Sequence, residues 1–207
     1  MSKLGGSLEP LMEVDLMIAD GRTNGLVTGS VIRERFSKIR QDVHAVVMAQ
    51  WLMELVERLT KPAMPAPGLY DLVRSQLSAI AQDITLPAGQ QWLRLLRRGF
   101  AVLEHEGFAP NPTICAQCHR PLSTTDWGYD PAHGFIHPSE GPAHTIKLSP
   151  ELHDWLVANS PLQHERPVFH EFHHLMELLI HQTIDRPLNS EQVLRRVAGR
   201  QKLPPAG

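Results

Sequence analysis

An α+β fold, mostly α, is what this chain of 207 residues predicts. Three observations carry the expectation. Apolar and polar residues alternate near the N-terminus, as in a half-buried strand. From Ser37 onward the apolar period lengthens to that of a helix. A turn-rich segment with the only two cysteines, Cys115 and Cys118, then interrupts the helices. The sum is a small β fragment followed by a helical bundle, with a Cys/His loop inserted before the fourth helix.

Residues 8–33 read as β. Val14, Leu16 and Ile18 alternate with Glu13 and Asp15, Asp20-Gly21 marks a turn, and Leu26 to Ile32 is a second strand. Two strands do not make an independent sheet, so further strands are expected before Met1. From Ser37, the positions from Ile39 through Val43, Val47, Leu52 and Leu55 to Leu59 form one helical stripe. Lys61–Pro67 is a proline-rich break. Leu69, Leu72, Val73, Leu77 and Ile80 mark a second helix. Pro87 opens a third, which carries Trp92, Leu95, Leu96, Phe100 and Leu103 and ends at Gly107. Residues 108–147 are rich in turns. Ser149-Pro150-Glu151 is an N-cap with proline at the first helical position, and it starts a short helix with Leu152, Trp155 and Leu156. The last long helix runs from about Pro167 to Ile184. Residues 199–207 read as a loose tail.

Composition narrows the function. An apolar content of 42% is enough for a core, and a formal charge of −2 argues against a histone-like basic binder. No apolar run approaches the ~18 residues of a membrane span. The N-terminal Met-Ser-Lys-Leu-Gly-Gly lacks the apolar core of a signal peptide. Two cysteines at metal-ligand spacing do not form a secreted disulfide framework, so the expected compartment is a reducing cytosol.

Cys115-Ala116-Gln117-Cys118 has the spacing with which two thiolates grip one metal ion. His137 and His144 complete a Cys-x2-Cys…His-x6-His pattern close to that of zinc fingers. Glu140 competes as the fourth ligand, and His119 and His133 are further candidates. The plain alternative is a pair of thiols in a loop that folds without metal. A structural zinc fits better than a catalytic one, because no activating carboxylate is placed beside the loop.

His170-Glu171-Phe172-His173-His174 also satisfies His-Glu-x-x-His on a predicted helix, the pattern of zinc hydrolases. The continuation departs from that chemistry: Glu177 and Ile180 stand where a metzincin needs Gly and His, and only Glu191 is available as a later carboxylate ligand. In a chain with 12 histidines a solvated histidine face is the better reading. A small metallohydrolase using His170, Glu171 and His174 remains the alternative function. Basic residues gather as Arg94, Arg97 and Arg98 in the third helix, and as Arg195, Arg196, Arg200 and Lys202 near the C-terminus. They suit phosphates or an acidic peptide, or simply a solvated face.

Several short segments in order resemble one family. They are Ser2-Lys3-Leu4-Gly5-Gly6-Ser7-Leu8-Glu9-Pro10 before a β segment, Val31-Ile32-Arg33-Glu34-Arg35-Phe36 leading to Ile39-Arg40-Gln41-Asp42, and Trp51-Leu52-Met53-Glu54-Leu55. Gly107-Phe108-Ala109-Pro110-Asn111 leading to the cysteine pair and Pro121-Leu122, and Asp185-Arg186-Pro187-Leu188-Asn189-Ser190, complete the set. The chain thus resembles the RecO recombination mediators over roughly residues 2–190. The resemblance implies a partial N-terminal OB-fold of two or three strands at 1–36. It implies a helical domain at 37–190 with a zinc-loop-like insertion at 112–147, then a loose basic tail at 191–207. It implies a bacterial, cytoplasmic, nucleoid-associated DNA repair protein, not an enzyme. Such a protein binds single- and double-stranded DNA, anneals strands, contacts the acidic C-terminal tail of single-strand-binding protein (SSB), and with RecR helps load RecA. Lys3, Arg22, Arg94, Arg97 and Arg98 are the expected DNA or partner contacts. One structural zinc is the only expected cofactor.

Two departures accompany the resemblance. The family has some tens of residues before the Ser-Lys-Leu segment, so the chain reads as N-terminally truncated, and an unclosed barrel with bare strand edges predicts poor solubility. The second Cys-x-x-Cys pair of zinc-bearing members is replaced by His137 and Glu140.

Overall fold

The computed structural model describes residues 6, 8–21, 25–61, 64–139, 141–158, 160, 165–184 and 186–199. Among them the α+β, mostly α expectation holds. Strands β1 (Glu13–Ala19) and β2 (Leu26–Glu34) lead into helices α1 (Ser37–Gln41), α2 (Val43–Leu59), α3 (Leu69–Asp83) and α4 (Ala88–His105). Strands β3 (Gly128–Asp130), β4 (Gly134–Ile136) and β5 (Ile146–Lys147) follow, then α5 (Pro150–Ala158), α6 (Glu165–Thr183) and α7 (Asn189–Gly199). No helix among the described residues is long and apolar enough to cross a membrane.

β1 and β2 form an antiparallel hairpin whose register shifts at Glu13/Val14 and at Met17/Ile18. Alternation makes the strands but does not bury them. Leu16, Met17, Ile18, Leu26 and Val31 are all exposed. The base of the hairpin is held by polar contacts: the Glu13 carboxylate accepts from the Tyr70 hydroxyl at 2.7 Å and from Arg74 Nε at 2.9 Å. Those two bonds, Tyr70 first, hold Glu13 below the usual carboxylate range.

The single stripe predicted from Ser37 is divided. Asp42 adopts an extended backbone (φ −120°, ψ 118°) and ends α1, and its side chain accepts from the Ala45 N–H at 2.8 Å to cap α2. An aspartate that can satisfy an orphan N–H at a helix start is more stable there than inside a helix, and apolar period alone does not report that. α2 and α4 pack closely because α4 presents Gly99. A Cβ at that position would sit 2.6 Å from Trp51 Cη2. Ile39, Leu52, Leu55, Ile80, Leu95, Phe100 and Leu103 fill the core between them, each fully buried.

Two further regions differ from the expectation. The tail predicted at 191–207 is helical through Gly199: α7 buries Leu194 and follows the buried Leu188. Its first turn is capped from another helix, for Glu54 of α2 accepts the Asn189 N–H at 2.9 Å and the Ser190 N–H at 2.8 Å. Residues 200–207 lie outside the described set. The insertion at 112–147 contains a three-stranded antiparallel sheet, order β4-β3-β5. Strands of two or three residues are too short to show alternation in sequence. The sheet lies on the helices and shares their core: Trp127, Tyr129, Phe135 and Ile136 are buried. The Tyr129 hydroxyl donates to Gln182 Oε1 of α6 at 2.7 Å, and Gln182 Nε2 returns a bond to the Pro131 carbonyl at 2.7 Å.

Candidate metal centre

The path to the cysteine pair is set by α4. Gly107 closes the helix in the left-handed region (φ +77°), with Phe108 N donating to the Leu103 carbonyl at 2.8 Å and Gly107 N to Glu104 at 3.1 Å. This is the glycine-terminated Schellman pattern. The chain then turns tightly at the cysteines. His119 N donates to the Cys115 carbonyl at 2.9 Å, and Cys115 N to the Arg120 carbonyl at 2.9 Å. Ala116 N donates to the Phe135 carbonyl at 2.8 Å, which ties this turn to β4 and brings His137, one residue past the strand, beside it.

The result is a cluster. One ligand atom from each of Cys115, Cys118 and His137 lies within 4.8 Å of the others, with Cys115 and His137 buried. The imidazole is oriented for coordination. His137 Nδ1 lies 3.1 Å from the Asp126 carbonyl and 3.2 Å from Asp126 Oδ2, two acceptors that engage Nδ1 and leave Nε2 as the nitrogen available to a metal. That Nε2 is buried and has no hydrogen-bond partner among the described residues, which a metal ion would correct. Burial pushes the Cys115 thiol up, but the N–H groups of Cys118, His137 and Gln117, together with the Cys118 thiol, more than offset it and hold the thiol below its ordinary value. A favoured thiolate is the form a metal binds. Two sulfurs and one imidazole nitrogen are three of the four ligands of a closed zinc site.

The fourth position is not filled by His144. Its Nε2 lies 2.9 Å from Asp130 Oδ2, while His133 Nδ1 takes Asp130 Oδ1 at 2.7 Å. Asp130 is fully buried, and both imidazoles lie against its carboxylate. His119 is exposed and outside the cluster. Glu140, the competing ligand, lies outside the described residues.

The His-Glu-x-x-His residues are arranged otherwise than hydrolysis requires. The Glu171 carboxylate accepts the Ser149 N–H at 2.6 Å and the Ser149 hydroxyl at 2.5 Å. It thus holds the N-cap of α5, where Ser149 Oγ also accepts from Leu152 N at 3.2 Å. His170 and His174 are exposed, and neither joins a group of three ligand atoms close enough for one ion among the described residues. The arginines of α4 are engaged internally. Arg98 is buried and paired with Asp83 of α3, and Arg94 Nη1 reaches the same carboxylate at 2.9 Å. Arg98 is therefore withdrawn from any surface phosphate, a correction to the sequence-based expectation. Arg97 lies over the Phe100 ring at 5.6 Å and donates to the Leu156 carbonyl at 3.3 Å. Arg94 keeps 55% of its side chain exposed. Lys3, Arg22, Arg200 and Lys202, and the side chain of Arg195, lie outside the described set, and Arg196 is exposed. Sequence reasoning missed Asp126, which orients His137, and Asp83. Both meet their partners only through tertiary pairing, and no local spacing marks either.

Comparison with known proteins gives the family. The family model described as Recombination protein O C terminal matches residues 40–192, which spans α2 to the first turn of α7 and includes the cysteine loop. A DNA repair protein RecO of Dehalococcoides mccartyi is 29% identical over 135 residues, covering 65% of this chain and 51% of that protein. The RecO of Bifidobacterium adolescentis is 31% identical over 139 residues (65% and 55%), and that of Desulforamulus reducens 22% over 209 residues (95% and 78%). The matched region is about half the length of the first two relatives. By the extent of the match to its helical domain, this chain belongs to the RecO family.

Proposed function

We propose that this chain acts in DNA repair as a recombination mediator that binds single- and double-stranded DNA and anneals complementary strands. The match over residues 40–192 carries the reading. In the same reading the chain works in the bacterial cytoplasm at the nucleoid, contacts the acidic tail of SSB, acts with RecR, and helps load RecA onto coated strands. Its role is binding, not catalysis. The engagement of Glu171 by Ser149 supports this, since the carboxylate that would activate water is occupied as a helix cap. Lys3, Arg22 and Arg94, whose side chain stays 55% exposed beside its pair with Asp83, are the phosphate contacts we assign.

The cysteine loop supports this role structurally. Cys115, Cys118 and His137 would hold one zinc, while His144 Nε2 lies against Asp130 instead of completing the site. The ion supplies a cross-link between the cysteine turn and β4. Asp126 orients the imidazole, and backbone N–H groups steady the Cys115 thiolate.

Binding of labelled single-stranded oligonucleotide across a salt series tests the reading. The logarithm of affinity falls linearly with the logarithm of salt, and Lys3→Ala or Arg22→Ala each lower that slope by about one. Binding absent at low salt would refute the proposal. Glu171→Gln, which would silence a hydrolase, leaves DNA binding in place.

A further inference from the structure

We propose a second metal site, for a divalent first-row transition ion, formed by His173 and Glu177 of α6 and Glu191 of α7. One ligand atom from each of the three lies within 4.8 Å of the others. His173 and Glu177 are four residues apart on one helix, which places both side chains on the same face. Glu191 comes from the first turn of the next helix, so the site bridges two elements. It is separate from the cysteine loop and uses neither His170 nor His174 of the His-Glu-x-x-His pattern.

The position is prepared for a guest. The three side chains line a cavity with about 20 Å³ of room for a water-sized occupant, which suits one ion or one water and nothing larger. Trp92 lines the same cavity and is 4% exposed. Its indole N–H is buried and meets no acceptor among the described residues. Indole nitrogen does not ligate metal, but it donates a hydrogen bond to water or hydroxide held on an ion. A buried orphan donor on a residue that lines the same cavity as three potential ligands is the observation that separates this group from an ordinary surface cluster.

The surroundings limit how far the ligands move. The His173 ring packs at 5.7 Å against Phe169, inclined by 32°. His173 Nδ1 lies 3.8 Å from Glu177 Oε1, and His174 Nδ1 lies 4.0 Å from Glu177 Oε2. Glu54 fixes the first turn of α7 through the N–H groups of Asn189 and Ser190, next to Glu191. Trp51 of α2 walls the cavity, and His181, four residues past Glu177, also lines it. One imidazole and two carboxylates suit Mn²⁺, Fe²⁺, Co²⁺ or Zn²⁺, and they lack the thiolate that selects soft ions. The ion fastens α7 to α6, so its loading sets how firmly the last described helix is held.

Co²⁺ added to the full chain tests the site, because cobalt bound by thiolate shows sulfur-to-metal charge transfer and cobalt bound by nitrogen and oxygen does not. Equilibrium dialysis counts the bound ions. We expect one equivalent without charge transfer, whether or not the cysteine loop also fills. H173Q and E191Q each weaken that equivalent about tenfold or more, leave any charge-transfer band unchanged, and keep the far-UV circular dichroism of the parent. H170Q, outside the cluster, leaves it unaltered. If every bound cobalt is charge-transfer active, or if the silent equivalent binds equally well to the parent, H173Q and E191Q, the site does not exist and the cavity holds water. Failure of the cysteine loop is a separate result, seen as loss of the charge-transfer band alone.

Discussion

The two small antiparallel sheets of this protein put the same kind of pairing to opposite use. β1–β2 is the longer, with strands of seven and nine residues, yet Met17, Ile18 and Leu26 are 58%, 60% and 67% exposed. β4–β3–β5 has strands of three, three and two residues, yet Trp127, Tyr129, Phe135 and Ile136 are 0–1% exposed. Ladder length therefore does not decide how well a sheet is anchored. What decides it is a second layer to bury against, and only the short sheet has one, in α5 and α6. The long hairpin touches the helical body at its base, through Glu13, Tyr70 and Arg74. Of the two, the loop sheet is built as part of the core, and the hairpin presents apolar surface.

The largest effect that would break this contrast is a truncation in the loop sheet. Trp127 is 1% exposed, stacks on Phe135 at 5.4 Å and meets the His153 ring edge at 4.9 Å. Trp127→Ala costs about 3–5 kcal/mol in urea unfolding. The matched change Leu26→Ala in the hairpin falls within about 0.5 kcal/mol. Equal costs would erase the distinction. Chelation comes next. If the cysteine loop holds the proposed zinc with the free ion at about a hundred times its dissociation constant, stripping it lowers stability by about 3 kcal/mol, and the near-UV dichroism of Trp127 and Tyr129 shifts with it. An unchanged melt with chelator would mean that the sheet alone holds the loop.

A smaller effect concerns α7, whose first turn is capped by one carboxylate. Burial raises the Glu54 pKa, but bonds from the Ser190 side chain and backbone, from Asn189 and from Arg58 more than offset it, so the folded value lies below the usual glutamate range. A carboxylate depressed on folding stabilises above its unfolded pKa and loses that contribution as pH falls through the folded one. The docking of α7 is thus firm at neutral pH and weakens on acidification below the usual glutamate range. Glu54→Gln costs about 1–2 kcal/mol at pH 7 and flattens that acid limb in a stability-against-pH series. The smallest effect is at the hairpin base, where Glu13→Gln changes stability by less than about 1 kcal/mol, since its partners are exposed.

Much of the fold was legible because helices announce themselves by period. Helices α2 to α6 lie where the apolar stripes place them, and Ser149 caps α5 as its position before Pro150 suggests. Legibility failed where a carboxylate from elsewhere finishes an element. α7 read as tail because its N-terminal N–H groups are satisfied by Glu54, 135 residues away from Asn189 in sequence. The site divided in the same way. Cys115, Cys118 and His137 were visible by spacing and do gather, whereas His144 was visible and goes to Asp130 instead. The orienting Asp126 was invisible, because only the β3–β4 pairing brings it to His137. Arg98 resembled a surface cation in a run of arginines, and the burial of Asp83 beside it is a tertiary fact.

DNA handling by this member of the RecO family is the proposal on which its function rests. The rate at which two complementary single-stranded oligonucleotides anneal, measured by fluorescence quenching with and without the protein over a salt series, tests it most directly. Annealing faster than the protein-free rate is expected at low salt, with the acceleration declining as salt rises. A rate equal to that of the oligonucleotides alone at every salt concentration would contradict it.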